Sequence, residues 1–159
     1  MMSPEVIKLL EEIGTQPLYY GVNFDDINAT NSDGDNALHC VAIQGDVAAA
    51  VMLIDAGIEI DKRGDFGHTP LHEACSAGHA DMVRLLLEKG ADMYAQTEGA
   101  TPFMIARECG QDHICDLLKP HMEQAQLSDP DSWIKVRIAH LRREIARLEN
   151  SLVDKPEVP

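Results

Sequence analysis

Apolar residues in this chain recur at the three- and four-residue spacing of amphipathic helices. The run 79–90, HADMVRLLLEKG, shows this spacing, and the run 3–14, SPEVIKLLEEIG, resembles it, with apolar residues at the same four positions, 6, 7, 9 and 10 against 82, 83, 85 and 86. Residues three and four apart share one face of an α-helix, so each run predicts a short helix with one buried side. Ser3 followed by Pro4 is a suitable helix start for the first run.

A longer apolar pattern near the carboxyl end alternates steps of four and three residues. Its positions are Ile134, Ile138, Leu141, Ile145, Leu148 and Leu152. Steps of this kind form the heptad seam of a coiled coil, here about three heptads long. We therefore predict a long amphipathic helix over residues 128–153, whose acidic, proline-containing first segment, SDPDSW at 128–133, is a break and helix start, and a tail over residues 154–159.

Between these two ends the chain repeats itself with a period of about 33 residues. Residues 34–60 align with residues 67–93, and residues 99–118 follow after a further 32 positions. In each copy a residue that caps helices precedes an apolar stretch, and a glycine separates this stretch from a second one. The pattern predicts three helix–turn–helix copies, at about residues 28–60, 61–93 and 94–122.

The middle copy carries the motifs TPLH at 69–72, GH at 78–79 and LLxxxGAD at 85–92. These motifs resemble the ankyrin repeat, and the resemblance covers about residues 25–120, within a repeat region of 25–127. It implies an all-α, ankyrin-repeat solenoid of stacked helix pairs joined by β-turn fingers. Residues 1–24 are then an N-terminal cap helix and an insertion, and the amphipathic helix follows the stack.

Two parts of the chain depart from the repeat motif. Asn36-Ala37 replaces Thr-Pro in the first copy, and Phe103-Met104 replaces Leu-His in the third. Asparagine caps a helix as well as threonine does, so we expect the first copy to fold like the middle one.

The aromatic residues of the insertion 15–24 are Tyr19, Tyr20 and Phe24. We expect these rings to pack over the cap helix.

Histidine and cysteine residues in the repeats raise the question of a metal site. The two groups are His72, Cys75 and His79, and Cys109, His113 and Cys115. Neither has the paired ligands of a structural zinc site, and the slot of Cys75 holds Ala42 and Arg107 in the other copies. The resemblance implies instead that His39 and His72 tie helix starts to turn backbone. We expect no metal and no cofactor, and the absence of catalytic motifs predicts no enzyme.

The net charge of −14 is carried by residues 1–127. They hold 21 Asp and Glu against 7 Lys and Arg, whereas residues 128–159 hold 6 of each. An acidic surface repels phosphate backbones and attracts basic proteins, so we expect a basic protein partner and no direct nucleic-acid binding. Four cysteines without a disulfide pattern, no secretory leader and no apolar run long enough for a membrane span predict a cytoplasmic protein.

The resemblance also implies that partners meet the finger tips and the exposed side of the first helix in each copy. The candidate contact residues are Asp33, Asp35, Gln44, Asp65, Phe66, His68, Ser76, Glu98 and Glu108. Five of them are carboxylates in successive copies, and Phe66 is a central apolar anchor. The main hypothesis is a non-catalytic protein–protein interaction module that binds a basic protein on an acidic concave face. An immunity protein that inhibits a basic toxin is one form of this hypothesis.

The carboxyl-terminal seam supports an alternative hypothesis, a homo-oligomeric scaffold or adaptor. Parallel pairing of two copies would set Arg137 against Arg142 and Glu144 against Glu149, so like charges disfavour it. An antiparallel homodimer through the seam and a helix that caps the last repeat both fit the pattern. The sequence does not choose between them.

Overall fold

The computed structural model describes residues 2–128 and, beyond them, residues 134, 138 and 142. The chain divides into two compact units, Met1–Leu117 and Leu118–Pro159. The helices are α1 (Pro4–Gly14), α2 (Ala37–Gln44), α3 (Val47–Asp55), α4 (Pro70–Ala77), α5 (Ala80–Glu88), α6 (Pro102–Glu108) and α7 (Asp112–Ser128). Short 3-10 helices cover Pro17–Tyr19 and Asp65–Gly67. In the described residues the only β pairing is two isolated bridges, Thr30 with Asn36 and Thr97 with Ala100, so the predicted all-α class is confirmed.

The same capping arrangement fixes the starts of α2 and α4. The Asn36 side chain accepts hydrogen bonds from the amides of Leu38 and His39 at 3.1 and 3.3 Å, and the Asn36 amide donates to His39 Nδ1 at 3.1 Å. Thr69 and His72 form an equivalent box at the start of α4. Each box satisfies amide groups that have no partner inside the helix. The first copy therefore folds like the middle one although Asn36 replaces threonine.

The helices of the first unit form two layers. One layer packs α2 on α4 and α4 on α6, and the other packs α1 on α3 and α3 on α5. Within a copy, α2 packs on α3 and α4 packs on α5. Leu38, Leu53, Leu71 and Leu86 come from four different helices and are fully buried. Each such leucine contributes about 1.5–3 kcal/mol of burial free energy, so the stack is held by one core that runs through successive copies.

Helix α1 contacts both α2 and α3. Its buried residues are Val6, Leu10 and Ile13. Next to it, Tyr19 is 2% exposed and its hydroxyl donates to the Asn36 carbonyl oxygen at 3.0 Å. Tyr20 is 84% exposed, so the expectation that the insertion's aromatic rings cover the cap is wrong for this residue. Tyr20 lies just past the 3-10 helix Pro17–Tyr19, where the backbone leaves the helical conformation, so its side chain does not continue the direction of the Tyr19 ring.

Helix α7 continues past residue 122, where the sequence predicts the end of the third copy. In the first two copies the second helix is followed by Gly57 and Gly90, whose φ angles of 93° and 91° are left-handed. A left-handed glycine is a common end of an α-helix. The matching slot in the third copy holds Met122, which does not favour the left-handed conformation, and the helix runs through Pro120 and past this slot.

The predicted carboxyl-terminal helix is described at three positions only. Residues 134, 138 and 142 are helical, and the side chains of Ile134 and Ile138 are 45% and 42% exposed. The other seam positions, Leu141, Ile145, Leu148 and Leu152, and the tail 154–159 lie outside the described residues. The dimer and the cap interpretations of this helix therefore stay predictions.

Candidate partner-binding surface

Hydrogen bonds join the fingers of successive copies. The fingers span residues 30–36, 63–69 and 96–101. The Asp65 amide donates to Asp35 Oδ1 at 3.0 Å, which connects the first finger to the second. Arg63 Nη1 donates to the Gln96 carbonyl oxygen at 2.7 Å, which connects the second finger to the third. The finger tips therefore form a connected row.

Asp35 differs from the other candidate contact residues because it is buried, with 7% exposure. Its Oδ1 atom accepts from the Asp65 amide and lies 3.9 Å from His39 Nε2. A carboxylate placed in this way holds two fingers together and is not open to a partner. We therefore assign Asp35 to the support of the surface.

The remaining candidates lie at the surface. The exposed ones are Asp33, Gln44, Asp65, Phe66, Glu98 and Glu108. His68 and Ser76 are half-buried, and both are tied to Glu73. His68 Nδ1 donates to the Glu73 carboxylate at 2.8 Å, and the Ser76 hydroxyl donates to the Glu73 carbonyl oxygen at 3.0 Å. Through these bonds His68 and Ser76 shape the surface more than they project from it.

Phe66 and Glu98 stand on two fingers in left-handed backbone conformation, with φ angles of 50° and 41°. Among the described residues, they are the non-glycine positions with positive φ. This conformation costs roughly 1–2 kcal/mol for a residue with a Cβ atom. The Phe66 carbonyl oxygen accepts a hydrogen bond from the Thr97 hydroxyl, which helps to hold the strained tip. Strain of this kind clusters at functional sites, and here it falls on two candidate contact residues.

The buried histidines connect neighbouring copies. His39 Nε2 hydrogen-bonds to the His68 carbonyl oxygen at 3.2 Å, and His72 Nε2 to the Ala100 carbonyl oxygen at 3.4 Å. Nδ1 of each ring accepts from a helix-cap amide, so both rings are neutral and use both nitrogens. Burial lowers the pKa of both, to about 4 for His72. The role that the resemblance implies for His39 and His72 is what the geometry shows.

Residues weighed as metal ligands have other roles in the structure: two histidines form hydrogen bonds to backbone carbonyl groups, and Cys75 is buried. His79 Nε2 hydrogen-bonds to the Ile43 carbonyl oxygen and His113 Nε2 to the Gly78 carbonyl oxygen, each at 2.9 Å. Burial raises the pKa of the Cys75 thiol to about 12, which disfavours the thiolate that a metal binds. In the described part of the chain, no group of three or more His, Cys, Asp or Glu residues is arranged to hold a metal ion.

Exposed apolar residues at the amino-terminal side of the surface were missed by the sequence reasoning. Leu18 is 53% exposed and Ile43 is 46% exposed. Gln16 Oε1 accepts from Gln44 Nε2 at 3.1 Å and from Cys40 Sγ at 3.2 Å, so the insertion lies along α2. The repeat alignment gave one signal: Ile43 is apolar where the middle copy has Ser76. The insertion has no counterpart in the other copies, so the alignment contains no signal for the exposure of Leu18.

A stack of helix pairs with connected fingers defines a helical repeat protein. A sequence model described as ankyrin repeats (3 copies) matches residues 3–97. The chain belongs to the ankyrin-repeat family, and it is a protein–protein interaction module. The match includes α1, which agrees with the interpretation of this helix as part of the repeat array.

Several curated proteins are similar to the chain. The SMC5-SMC6 complex localization factor protein 1 of Homo sapiens is 34% identical over 99 residues, 60% of this chain and 9% of that protein. The protein phosphatase 1 regulatory subunit 27 of Mus musculus is 35% identical over 89 residues, 56% of each chain. The ankyrin repeat-containing protein P1E11.10 of Schizosaccharomyces pombe is 26% identical over 112 residues, 70% of this chain and 53% of that protein. The chain thus spans between 9% and 56% of the length of these relatives.

In the part of the chain that the structure describes, no helix combines the length and the apolar character that crossing a bilayer requires.

Proposed function

We propose that the stack binds a basic protein partner, without catalysis, through a finger surface. The finger surface consists of the exposed residues Asp33, Gln44, Asp65, Phe66, Glu98 and Glu108, and the half-buried His68 and Ser76 support it. The observation that carries the proposal is the row of four exposed carboxylates that follows successive copies, with the exposed Phe66 ring within it. Inhibition of a basic toxin, as by an immunity protein, is one form that such binding takes.

These carboxylates form no ion pairs with other described residues, and this supports a cationic partner. Among the described residues, Asp33, Asp65, Glu98 and Glu108 have no Lys, Arg or His nitrogen within 4.0 Å. The described residues therefore leave the charge of the acidic row unneutralised. Complementary charge speeds encounter with a basic protein, and salt screens it. An aromatic residue among such charges supplies the apolar contact that holds a partner once it has met the surface.

The names of two relatives agree with action by binding. One is called a localization factor and another a regulatory subunit, and both names describe proteins that act on other proteins. For this chain we propose the same kind of role, with the partner defined by its charge.

Neutralisation of the row tests the proposal. The partner is identified by crosslinking and affinity purification at low ionic strength, and its binding is then measured with the purified pair. The variant D65N/E98Q/E108Q should weaken binding by about tenfold or more, mainly through slower association. The matched variant E11Q/E88Q/E123Q removes the same number of charges at exposed sites elsewhere and should keep most of the affinity. Equal losses in the two variants, or a partner without a basic surface, would contradict the proposal.

A second candidate function is the homo-oligomeric scaffold or adaptor. It is favoured by the exposure of Ile134 and Ile138, two positions of the apolar seam. Multi-angle light scattering of the full chain should then give the mass of a dimer, and the variant I134N/I138N should give that of a monomer. Ile7→Asn, at an exposed isoleucine of α1, is the control and should stay dimeric. A monomeric wild-type chain would remove this candidate.

A further inference from the structure

A cleft lies in the second-helix layer, away from the residues of the finger surface. It has a volume of about 800 Å³ and is formed by α1, α3 and the segment Asp25–Ile27. Its apolar lining residues are Met2, Val6, Ile27, Val51, Met52 and Ala56. All of these except Val6 are half-buried, so the apolar floor is partly open to solvent. Concave, partly apolar sites of this size are ordinary places for a ligand or a side chain to bind.

The charges of the cleft have a single sign. Asp25, Asp26 and Asp55 line it, and none of its lining residues is Lys, Arg or His. Asp55 is paired with Lys89 at 2.8 Å. Asp25 accepts from the Asn23 side chain and Asp26 from the Asn28 amide, each at 2.9 Å, so these neutral donors leave both negative charges uncompensated.

We propose that this cleft binds a segment of a partner protein in which an aliphatic side chain is flanked by Lys or Arg. An aliphatic side chain fits the floor. The floor is partly exposed, so binding removes apolar surface of both partners from water, which is favourable. The basic residue fits the rim, since its apolar stem lies on the floor while its charged head reaches Asp25 and Asp26. The carboxylates of Asp25 and Asp26 repel an anionic ligand, and a purely apolar ligand makes no ionic contact with them. The proposal does not depend on the finger surface.

Amide chemical shifts of the isotope-labelled full chain provide the test. The probe is an acetylated, amidated hexapeptide of sequence GKLLRG, and the matched probes are GKSSRG, without the aliphatic pair, and GELLEG, with reversed charge. GKLLRG should move the amide signals of residues 2–6, 25–27 and 51–56, and each matched probe should bind at least about fivefold more weakly.

Variants of the protein separate the cleft from general charge effects. D25N/D26N keeps both side-chain acceptors and should weaken GKLLRG by about fivefold, whereas E88Q/E123Q, at exposed sites outside both the cleft and the finger surface, should leave its affinity unchanged. Met52→Gln changes the floor at similar size and should also weaken the peptide. The proposal is overturned if GKSSRG or GELLEG binds as well as GKLLRG, if the shifts map to the fingers, or if the cleft amides do not respond.

Discussion

At the scale of single residues, the buried histidine His72 makes stability depend on pH. Its pKa is lowered to about 4, mainly by burial, from an ordinary value of 6.5. As pH falls below 6.5 the unfolded chain takes up this proton and the folded chain does not, so the free energy of unfolding falls from about pH 6.5 towards pH 4. The loss from this one group is at most about 3 kcal/mol.

Urea unfolding at a series of pH values measures this dependence. His72→Gln does not titrate and should show a smaller loss between about pH 7 and pH 4.5, from a lower starting stability, since a hydrogen-bonded cap is changed as well. His121→Gln, at an exposed histidine of α7, should follow the wild-type curve. If the wild type and His72→Gln lose the same free energy, His72 is not the group responsible.

A second prediction at this scale concerns Gly45, which ends α2 with a φ angle of 73°. A Cβ atom there would lie 2.7 Å from the His79 ring, whereas one at Gly110, with a φ angle of 71°, would meet no atom within 4 Å. Both alanine variants incur about 1 kcal/mol of backbone strain, and Gly45→Ala adds about 1–2 kcal/mol by displacing His79. Equal stabilities of the two variants in chemical denaturation would show that the His79 contact contributes nothing.

Sequence reasoning reached some residues and missed others for identifiable reasons. The cap at Asn36 and the left-handed glycines Gly57 and Gly90 follow from local backbone chemistry, and the structure confirms them. Asp35 is buried where its carboxylate accepts a hydrogen bond from the amide of Asp65, 30 positions away. Alignment of the copies shows that Asp35 lies at a finger tip but does not show this contact. Exposure of a turn residue is set by the neighbouring finger, which one copy of the motif does not reveal.

At the scale of elements, the insertion next to α1 is fixed to α2 by one of two adjacent tyrosines. Tyr19 is buried and donates to the Asn36 carbonyl oxygen, whereas Tyr20 is 84% exposed. Tyr19→Phe should lower the free energy of unfolding by about 1 kcal/mol, the net contribution of a buried hydrogen bond. Tyr20→Phe should change it by less than about 0.5 kcal/mol. Thermal and urea unfolding of both variants check this, and a larger effect at Tyr20 would contradict the assignment.

Elements that repeat were predictable, and elements that occur once were not. The period near 33 residues placed the helix pairs because each copy supplies the same caps, apolar stretches and glycines. The 3-10 helix Pro17–Tyr19 has no second copy to compare, and neither the exposure of Leu18 nor the path along α2 could be inferred. The extension of α7 to Ser128 follows from Met122 at a glycine slot, a signal that lies in the sequence but depends on exact alignment of the third copy.

At the scale of the whole molecule, charge repulsion among residues 1–127 is a general destabilising force. This part of the chain carries 21 carboxylates against 7 basic residues, and the exposed ion pairs seen among its described residues, such as Arg84 with Asp81 and Lys89 with Asp55, are few. Exposed pairs contribute little, whereas an excess of one sign repels throughout the folded state. Salt shortens the range of both effects, to about 3 Å at 1 M.

We therefore expect sodium chloride to stabilise this protein, by on the order of 1 kcal/mol between low salt and about 1 M, because screened repulsion outweighs lost ion pairs. The variant E11Q/E88Q/E123Q, with three fewer negative charges, should start more stable and gain less from salt. Urea unfolding at each salt concentration measures both quantities, and sodium sulfate at matched ionic strength separates screening from salting-out. A decrease of stability with salt would mean that ion pairs dominate, and the acidic surface would then be largely compensated within the chain. That result would also remove the electrostatic reason for a basic partner, since the finger surface attracts one only while its carboxylates remain unneutralised.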